Sequence, residues 1–142
     1  MERVTITSEP DGDPADRQTL QDAIDAFNVR VTGRDDGRYV SLFVRDESGK
    51  LRGGLTGEIW ADWLHVRVLW LDEALRRQGL GSRLLAQAED EARVHGCKGA
   101  FLETFSFQAP AFYARHGYEV FGRVDEYPGE HAQIFLRKRL DR

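Results

Sequence analysis

Two apolar stretches, separated by a run of helical period, constrain this chain most. "WLHVRVLWL" (Trp63–Leu71) and "GAFLETF" (Gly99–Phe105) are rich in β-branched and aromatic residues, the composition of strands. Between them, Leu80, Leu84, Leu85, Ala88 and Ala92 fall on one stripe at about 100° per residue, while Ser82, Arg83, Gln87, Glu89, Asp90 and Arg93 fall elsewhere. The spacing predicts a long helix that starts near residues 79–81 and ends at Gly96, a glycine suited to a C-cap. Strand, helix and strand in this order form a crossover, which requires two parallel neighbours in one sheet. A strand as apolar as Trp63–Leu71 is expected to be central and covered on both sides. Strict alternation puts Leu64, Val66, Val68 and Trp70 on one face, and His65, Arg67, Leu69 and Leu71 on the other.

The flanking elements complete a mixed sheet. "RVTIT" (residues 3–7) alternates like a strand. Asp13 can cap a helix whose first position is Pro14, where a missing N–H costs nothing. Leu20, Ala23, Ile24, Phe27 and Val31 continue that helix, which frays at "TGRDDGR". "YVSLFVR" and "LRGGLTGEIW" form a hairpin around "DESGK". Gly53, Gly54 and Gly57 mark a bulge there, or a close approach to the backbone. "QAPAFYARH" is a short helix, and "YEVFGRV" and "AQIFLRK" are the last strands. The predicted order is βα ββ β α β α ββ: an α/β (α+β) fold with a central mixed sheet and helices on both faces. A chain of 142 residues is expected to form a single domain, 1–142.

Composition excludes several classes of function. The 41% hydrophobic content supplies one core. The net charge is −4 with signs interspersed, and "RKRL" is the single basic block, so no nucleic-acid partner is expected. No apolar run reaches the roughly 20 residues that cross a bilayer. The polar, acidic start "MERVTITSEPDGD" lacks the pattern of a signal peptide, so a cytoplasmic location without membrane contact is expected. Cys97, the single cysteine, can form neither an internal disulfide nor a multi-cysteine metal site, and no metal is expected.

The stretch "EALRRQGLGSRLL" carries the chemistry. A helix start leaves backbone N–H groups without partners and bears partial positive charge, which suits an anion, phosphate above all. Gly79 and Gly81 remove side chains that would block close approach, and Arg76 and Arg77 add positive charge. On spacing alone, a diphosphate cradle and a plain strand-to-helix turn stand level. A dinucleotide-binding fingerprint fits poorly, because Leu84 occupies the third glycine position and the glycine loop does not come directly off the strand. A Walker A loop is excluded, since no Gly-Lys-Ser/Thr follows.

"RRQGLG" has the form Arg/Gln-x-x-Gly-x-Gly/Ala between a strand and a long helix, and "APAFYARHGYEVFG" follows the next strand. Together they resemble the GNAT superfamily of N-acetyltransferases over roughly residues 39–138, in particular small bacterial members without an assigned substrate. The resemblance implies a GNAT-like acyl-CoA N-acyltransferase fold and an enzyme that moves an acetyl group from acetyl-CoA, its co-substrate, to a primary amine. The acceptor is a small molecule or a protein amine, attacking directly in a ternary complex. By matching positions, Arg76, Arg77, Gln78, Gly79, Leu80, Gly81 and Ser82 wrap the pyrophosphate. Leu69, Trp70 and Leu71 offer backbone partners to the pantetheine arm, and the N–H near Leu69 polarises the thioester carbonyl.

Tyr113 matches the family's usual general acid. A phenol with pKa of about 10 can protonate a departing thiolate. Glu103 is the first candidate for the base, Glu58 the second and His65 the third, with a water chain as a substitute for all three. Many family members carry an asparagine seven residues before the tyrosine; here Ser106 stands with Gln108 nearby, and either can donate a hydrogen bond in its place. Acceptor choice is expected to sit in "NVRVTGRDDGR" and "DEYPGEH", with Glu130 and His131 in the latter. The resemblance also allows a homodimer, with Trp60, Trp63 and Phe135 as interface or core. Two other readings stay open: a CoA-binding module that has lost the chemistry, and an acyltransferase for longer acyl groups.

Overall fold

A computed structural model describes residues 1–142, which divide into two compact units, Met1–Asp35 and Asp36–Arg142. The first unit is one helix with an extended leader. Helix α1 (Pro14–Thr32) starts where expected: the Asp13 carboxylate accepts from the Ala15 N–H at 2.8 Å, and Pro14 takes the first helical position. Gly33 ends it in the left-handed conformation. The predicted strand at residues 3–7 does not form. Residues 1–9 have no regular structure and are exposed throughout. An isolated alternating segment has neither ladder partners nor a face to bury, and alternation supplies neither.

The second unit is a six-stranded sheet: β1 (Arg38–Arg45), β2 (Leu51–Trp60), β3 (Trp63–Leu71), β4 (Gly99–Phe105), β5 (Glu119–Val124) and β6 (Gln133–Arg139). Their order across the sheet is β1-β2-β3-β4-β6-β5. The β3–β4 pair is parallel and all others are antiparallel. That pair is the crossover demanded by the sequence, with α2 (Leu80–Val94) as its connection. A short helix α3 (Pro110–Arg115) follows β4.

α2 lies across β1 to β4 and buries Leu84, Leu85, Ala88 and Ala92 against Leu55, Leu64, Val66 and Leu102. Tyr113 of α3 joins the same cluster. Within this unit the opposite face carries no helix. It is polar and aromatic: Tyr39, Glu58 and His65 stand in one cross-strand row, and Phe43, Gly54 and Trp70 in another.

One irregularity organises β3. Gly57 pairs with Val66, yet Thr56 pairs with Val68, so Arg67 is an extra residue on β3. The bulge reverses the alternation beyond it. Leu69 and Leu71 turn to the core face with Leu64 and Val66, while Val68 and Trp70 go to the open face with His65. Strict alternation assigned these four residues to the wrong sides, because one inserted residue flips every side chain downstream. The glycine that permits the close pairing is Gly57: a Cβ there would sit 2.5 Å from the His65 carbonyl oxygen. The close approach marked by the β2 glycines is therefore that of a neighbouring strand.

Gly57→Ala should force the His65 carbonyl back at the bulge. We expect a loss of about 1–3 kcal/mol, the usual cost of overpacking, read as a lower midpoint in denaturant unfolding; an unchanged midpoint would contradict the contact.

Candidate active site

The sheet opens between its two central strands. β3 and β4 pair only over residues 63–66 and 99–102. Beyond that, β3 continues along β2 to Leu71 and β4 along β6 to Phe105. In an antiparallel pair, alternate residues exchange hydrogen bonds with the partner and the others point away. Residues 67–71 therefore present part of their backbone to the gap, across from residues 103–105. Leu69, Trp70 and Leu71, the expected pantetheine contacts, line the β3 side.

The connection to α2 is stiffened by its own side chains. Arg52 Nε donates to Asp72 Oδ2 at 2.7 Å, and this bond holds the Asp72 carboxyl below the usual carboxylate range. Arg76 Nε donates to the Leu71 carbonyl at 3.0 Å, and Gln78 Nε2 to the Ala74 carbonyl at 3.1 Å. Arg76 and Gln78 thus shape the loop from within. Arg77 (φ 63°) and Gly79 (φ 81°) both adopt the left-handed conformation, and Gly79 caps α2 without a side-chain bond. The first helical backbone bond runs from the Arg83 N–H to the Gly79 carbonyl at 3.1 Å. The N–H groups of Leu80, Gly81 and Ser82 precede it and have no acceptor within the helix.

α3 walls this turn. A Cβ on Gly81 would lie 3.5 Å from the Phe112 ring. Ser82 Oγ and His116 Nε2 are hydrogen-bonded at 2.9 Å, and the Phe112 and His116 rings stand 4.7 Å apart. Tyr113, next to Phe112, is buried, and burial pushes its phenol above the ordinary tyrosine value. It meets Tyr118 edge to face at 5.9 Å. Behind that ring lies a polar cluster: Tyr118 Oη donates to Glu89 Oε2 and Lys138 Nζ to Glu89 Oε1, each at 2.8 Å. Burial and the adjacent Glu89 carboxylate both push the Tyr118 phenol strongly up.

Sequence reasoning placed Glu89 on the polar side of its helix, but it is buried. A signal existed: Glu89 lies four residues after Leu85 and three before Ala92, inside the apolar stripe. Lys138 lies two residues from both Leu136 and Leu140, on the face that those core residues share. Opposite charges on two apolar stripes mark a buried pair.

The three candidates for the base meet on the open face where the strands part. His65 Nε2 donates to both oxygens of Glu103, at 2.8 and 3.0 Å. The imidazole stacks on Phe101 with centroids 4.2 Å apart. Glu58 is the cross-strand neighbour of His65, and its carboxylate accepts from Arg67 Nε at 3.0 Å. Arg67 is the bulge residue, so the bulge delivers the cation that holds Glu58.

The residues offered in place of the asparagine are both held through their oxygens, which leaves the Ser106 O–H and the Gln108 amide N–H groups as donors. Ser106 Oγ accepts from the Ala132 N–H at 2.9 Å, and Gln108 Oε1 accepts from the Phe105 N–H at 2.8 Å. His131 packs its ring against Phe107, beside Phe105 and Tyr127. Cys97 is buried in the core.

A central parallel pair that splays open, followed by a glycine-bearing turn into a helix, defines an acyltransferase of the GNAT type. The Acetyltransferase (GNAT) family model matches residues 4–118, and the chain belongs to that family. It is 33% identical to an acetyltransferase of Agrobacterium fabrum over 123 residues, covering 87% of this chain and 90% of the relative. It is 51% identical to the blasticidin-S acetyltransferase of Streptomyces morookaense over 95 residues, 66% of this chain and 70% of that protein. A crystal structure of an acetyltransferase from Agrobacterium tumefaciens superposes with a TM-score of 0.91 at 31% identity, covering 96% of this chain and 99% of its own. No helix is long and apolar enough to cross a membrane.

The raised phenols give a pH prediction. The folded state holds Tyr113 and Tyr118 protonated, so their contribution is whole below the unfolded tyrosine value of about 10 and falls away as pH climbs above it. Unfolding free energy should therefore fall as pH climbs above about 10, and Tyr118→Phe should make that fall shallower. An equal drop in the variant would contradict the buried Tyr118–Glu89 pair.

Proposed function

We propose that the chain transfers the acetyl group of acetyl-CoA to a primary amine, by direct attack in a ternary complex. One observation carries this reading: the gap between β3 and β4 runs to the start of α2, so an extended arm and an anionic head have adjacent places. The cradle suits the group, because the first-turn N–H groups of α2 lack helical acceptors and Gly81 puts no side chain over them. Leu80, Gly81 and Ser82 would hold the pyrophosphate through these N–H groups, with Gly79 shaping the turn. Arg77 would add charge, while Arg76 and Gln78 keep the loop in shape. The backbone of Leu69, Trp70 and Leu71 would bind the pantetheine arm as a neighbouring strand does. When bound, acetyl-CoA supplies the activated acyl group as a thioester.

Tyr113 is the general acid in this reading. Its burial keeps the phenol protonated and ready to give its proton to the departing sulfur. Glu103 and His65 act as one unit on the open face. The carboxylate orients the imidazole through Nε2, and the pair takes the proton of the attacking amine. Glu58, engaged by Arg67, is an electrostatic neighbour. The acceptor is a small-molecule amine, a reading supported by the blasticidin-S acetyltransferase among the relatives.

Tyr113→Phe should lower kcat by about 10²–10⁴-fold, with acetyl-CoA affinity in calorimetry held within a few-fold. Glu103→Gln should also lower kcat while leaving that affinity intact. Blasticidin S heads the acceptor panel, with polyamines and a lysine peptide beside it. Full turnover in Tyr113→Phe would remove the acid from its role. Acetyl-CoA binding without turnover of any amine would favour a CoA-binding module.

A further inference from the structure

His116 touches both halves of the candidate site. Its ring stands 4.7 Å from that of Phe112, the ring that faces Gly81 in the turn. Its Nε2 is hydrogen-bonded to Ser82 Oγ at 2.9 Å, in the first turn of α2. Its backbone N–H donates to the Tyr113 carbonyl at 3.0 Å, and that carbonyl also accepts from the Tyr118 N–H at 3.1 Å. One residue at the end of α3 therefore holds the helix start and the proposed acid in a common frame. The reaction as proposed leaves its imidazole unused.

The direction of the Ser82–His116 bond matters to an anion. A hydroxyl has one hydrogen to give and two lone pairs to offer. When Ser82 gives its hydrogen to a bare Nε2, the oxygen turns only lone pairs to its other side, and these repel negative charge. When Nε2 carries a hydrogen and donates it, the Ser82 hydrogen is released to point away from the ring. Ser82 then becomes a donor through its hydroxyl as well as its backbone N–H. A ring nitrogen of histidine can take either part. Negative charge beyond Ser82 selects the second arrangement, because a chain of hydrogen bonds that ends on an anion is polarised in one sense and strengthened by it.

We propose that His116 is a positioning residue for the acyl donor: its Nε2–H donates to Ser82 Oγ and turns the Ser82 hydroxyl into a further donor to the pyrophosphate. The inference rests on the function proposed above. It adds the Ser82 O–H to the first-turn N–H groups of Leu80, Gly81 and Ser82. Because His116 also holds the Tyr113 carbonyl, the seat of the pyrophosphate and the place of the acid share one support.

Calorimetry and NMR on the full chain test this, with acetyl-CoA as the probe. His116→Phe keeps a ring against Phe112 and removes the donor, whereas His116→Gln places an amide N–H at a similar reach. His116→Phe should weaken acetyl-CoA binding about tenfold, the weight of a hydrogen bond to a charged group. His116→Gln should bring it back to within about threefold of the wild type, a recovery that a loss of packing would not show. Adding Ser82→Ala to His116→Phe should cost no more than about a further twofold, because the two side chains act as one unit. Nitrogen NMR of isotope-labelled histidine reads the hydrogen itself: Nε2 of His116 should be protonated in the acetyl-CoA complex. That reading needs no variant, so it decides the matter even where His116→Phe fails to fold. Unchanged affinity in His116→Phe, a loss that His116→Gln does not recover, or a bare Nε2 in the complex overturns the proposal. Binding, rescue and protonation as stated, with no amine acetylated, leave the role of His116 standing and sink the transfer reading alone. A wild type that binds no acetyl-CoA overturns both.

Discussion

The inserted Arg67 in β3 governs both sides of the candidate site. Up to Val66 the strand pairs with β4; past the bulge it stays with β2 and leaves β4 behind. Bulges bend a strand and increase its local twist, which is how one extra residue can end a pairing. The same residue turns Leu69 and Leu71 into the core, where they anchor the strand that borders the gap. Its guanidinium holds Glu58 on the open face. Gly57 makes the arrangement feasible by letting the His65 carbonyl come close.

The helix side depends on a second constraint, a charged group sealed in the core. Glu89 accepts from Tyr118 and Lys138, joining α2, the segment after α3, and β6. A carboxylate in this place is tolerable because both oxygens have donors, one of them cationic. Removing one partner would leave a buried charge uncompensated, which is far more costly than the pair itself is stabilising. The cluster fixes the ring against which Tyr113 packs. The position of the proposed acid is thus set by residues that do no chemistry.

Much of this was legible in the sequence. The crossover, the hairpin, the start of α1 at Asp13 and Pro14, and the α2 stripe all follow from periodicity and capping, which are local signals. The glycine turn was legible as a turn, and its meaning came from the second motif around Tyr113. What escaped depends on neighbours distant in sequence. No pattern inside "WLHVRVLWL" announces which residue will be the extra one, so Leu69 and Val68 went to the wrong faces. The strand expected at residues 3–7 has the right composition but no neighbour to pair with in its own unit. Glu89 was misplaced by treating charge as proof of exposure.

In the proposed enzyme the opened strand edge and the bare helix start form one continuous binding site. Hydrogen–deuterium exchange with and without acetyl-CoA tests this directly. It predicts slowed exchange at two separate places, the amides of residues 67–71 and those of residues 80–82, with β5 and the β1–β2 turn unchanged. Protection at residues 80–82 without the β3 segment, or no protection at either, would contradict it.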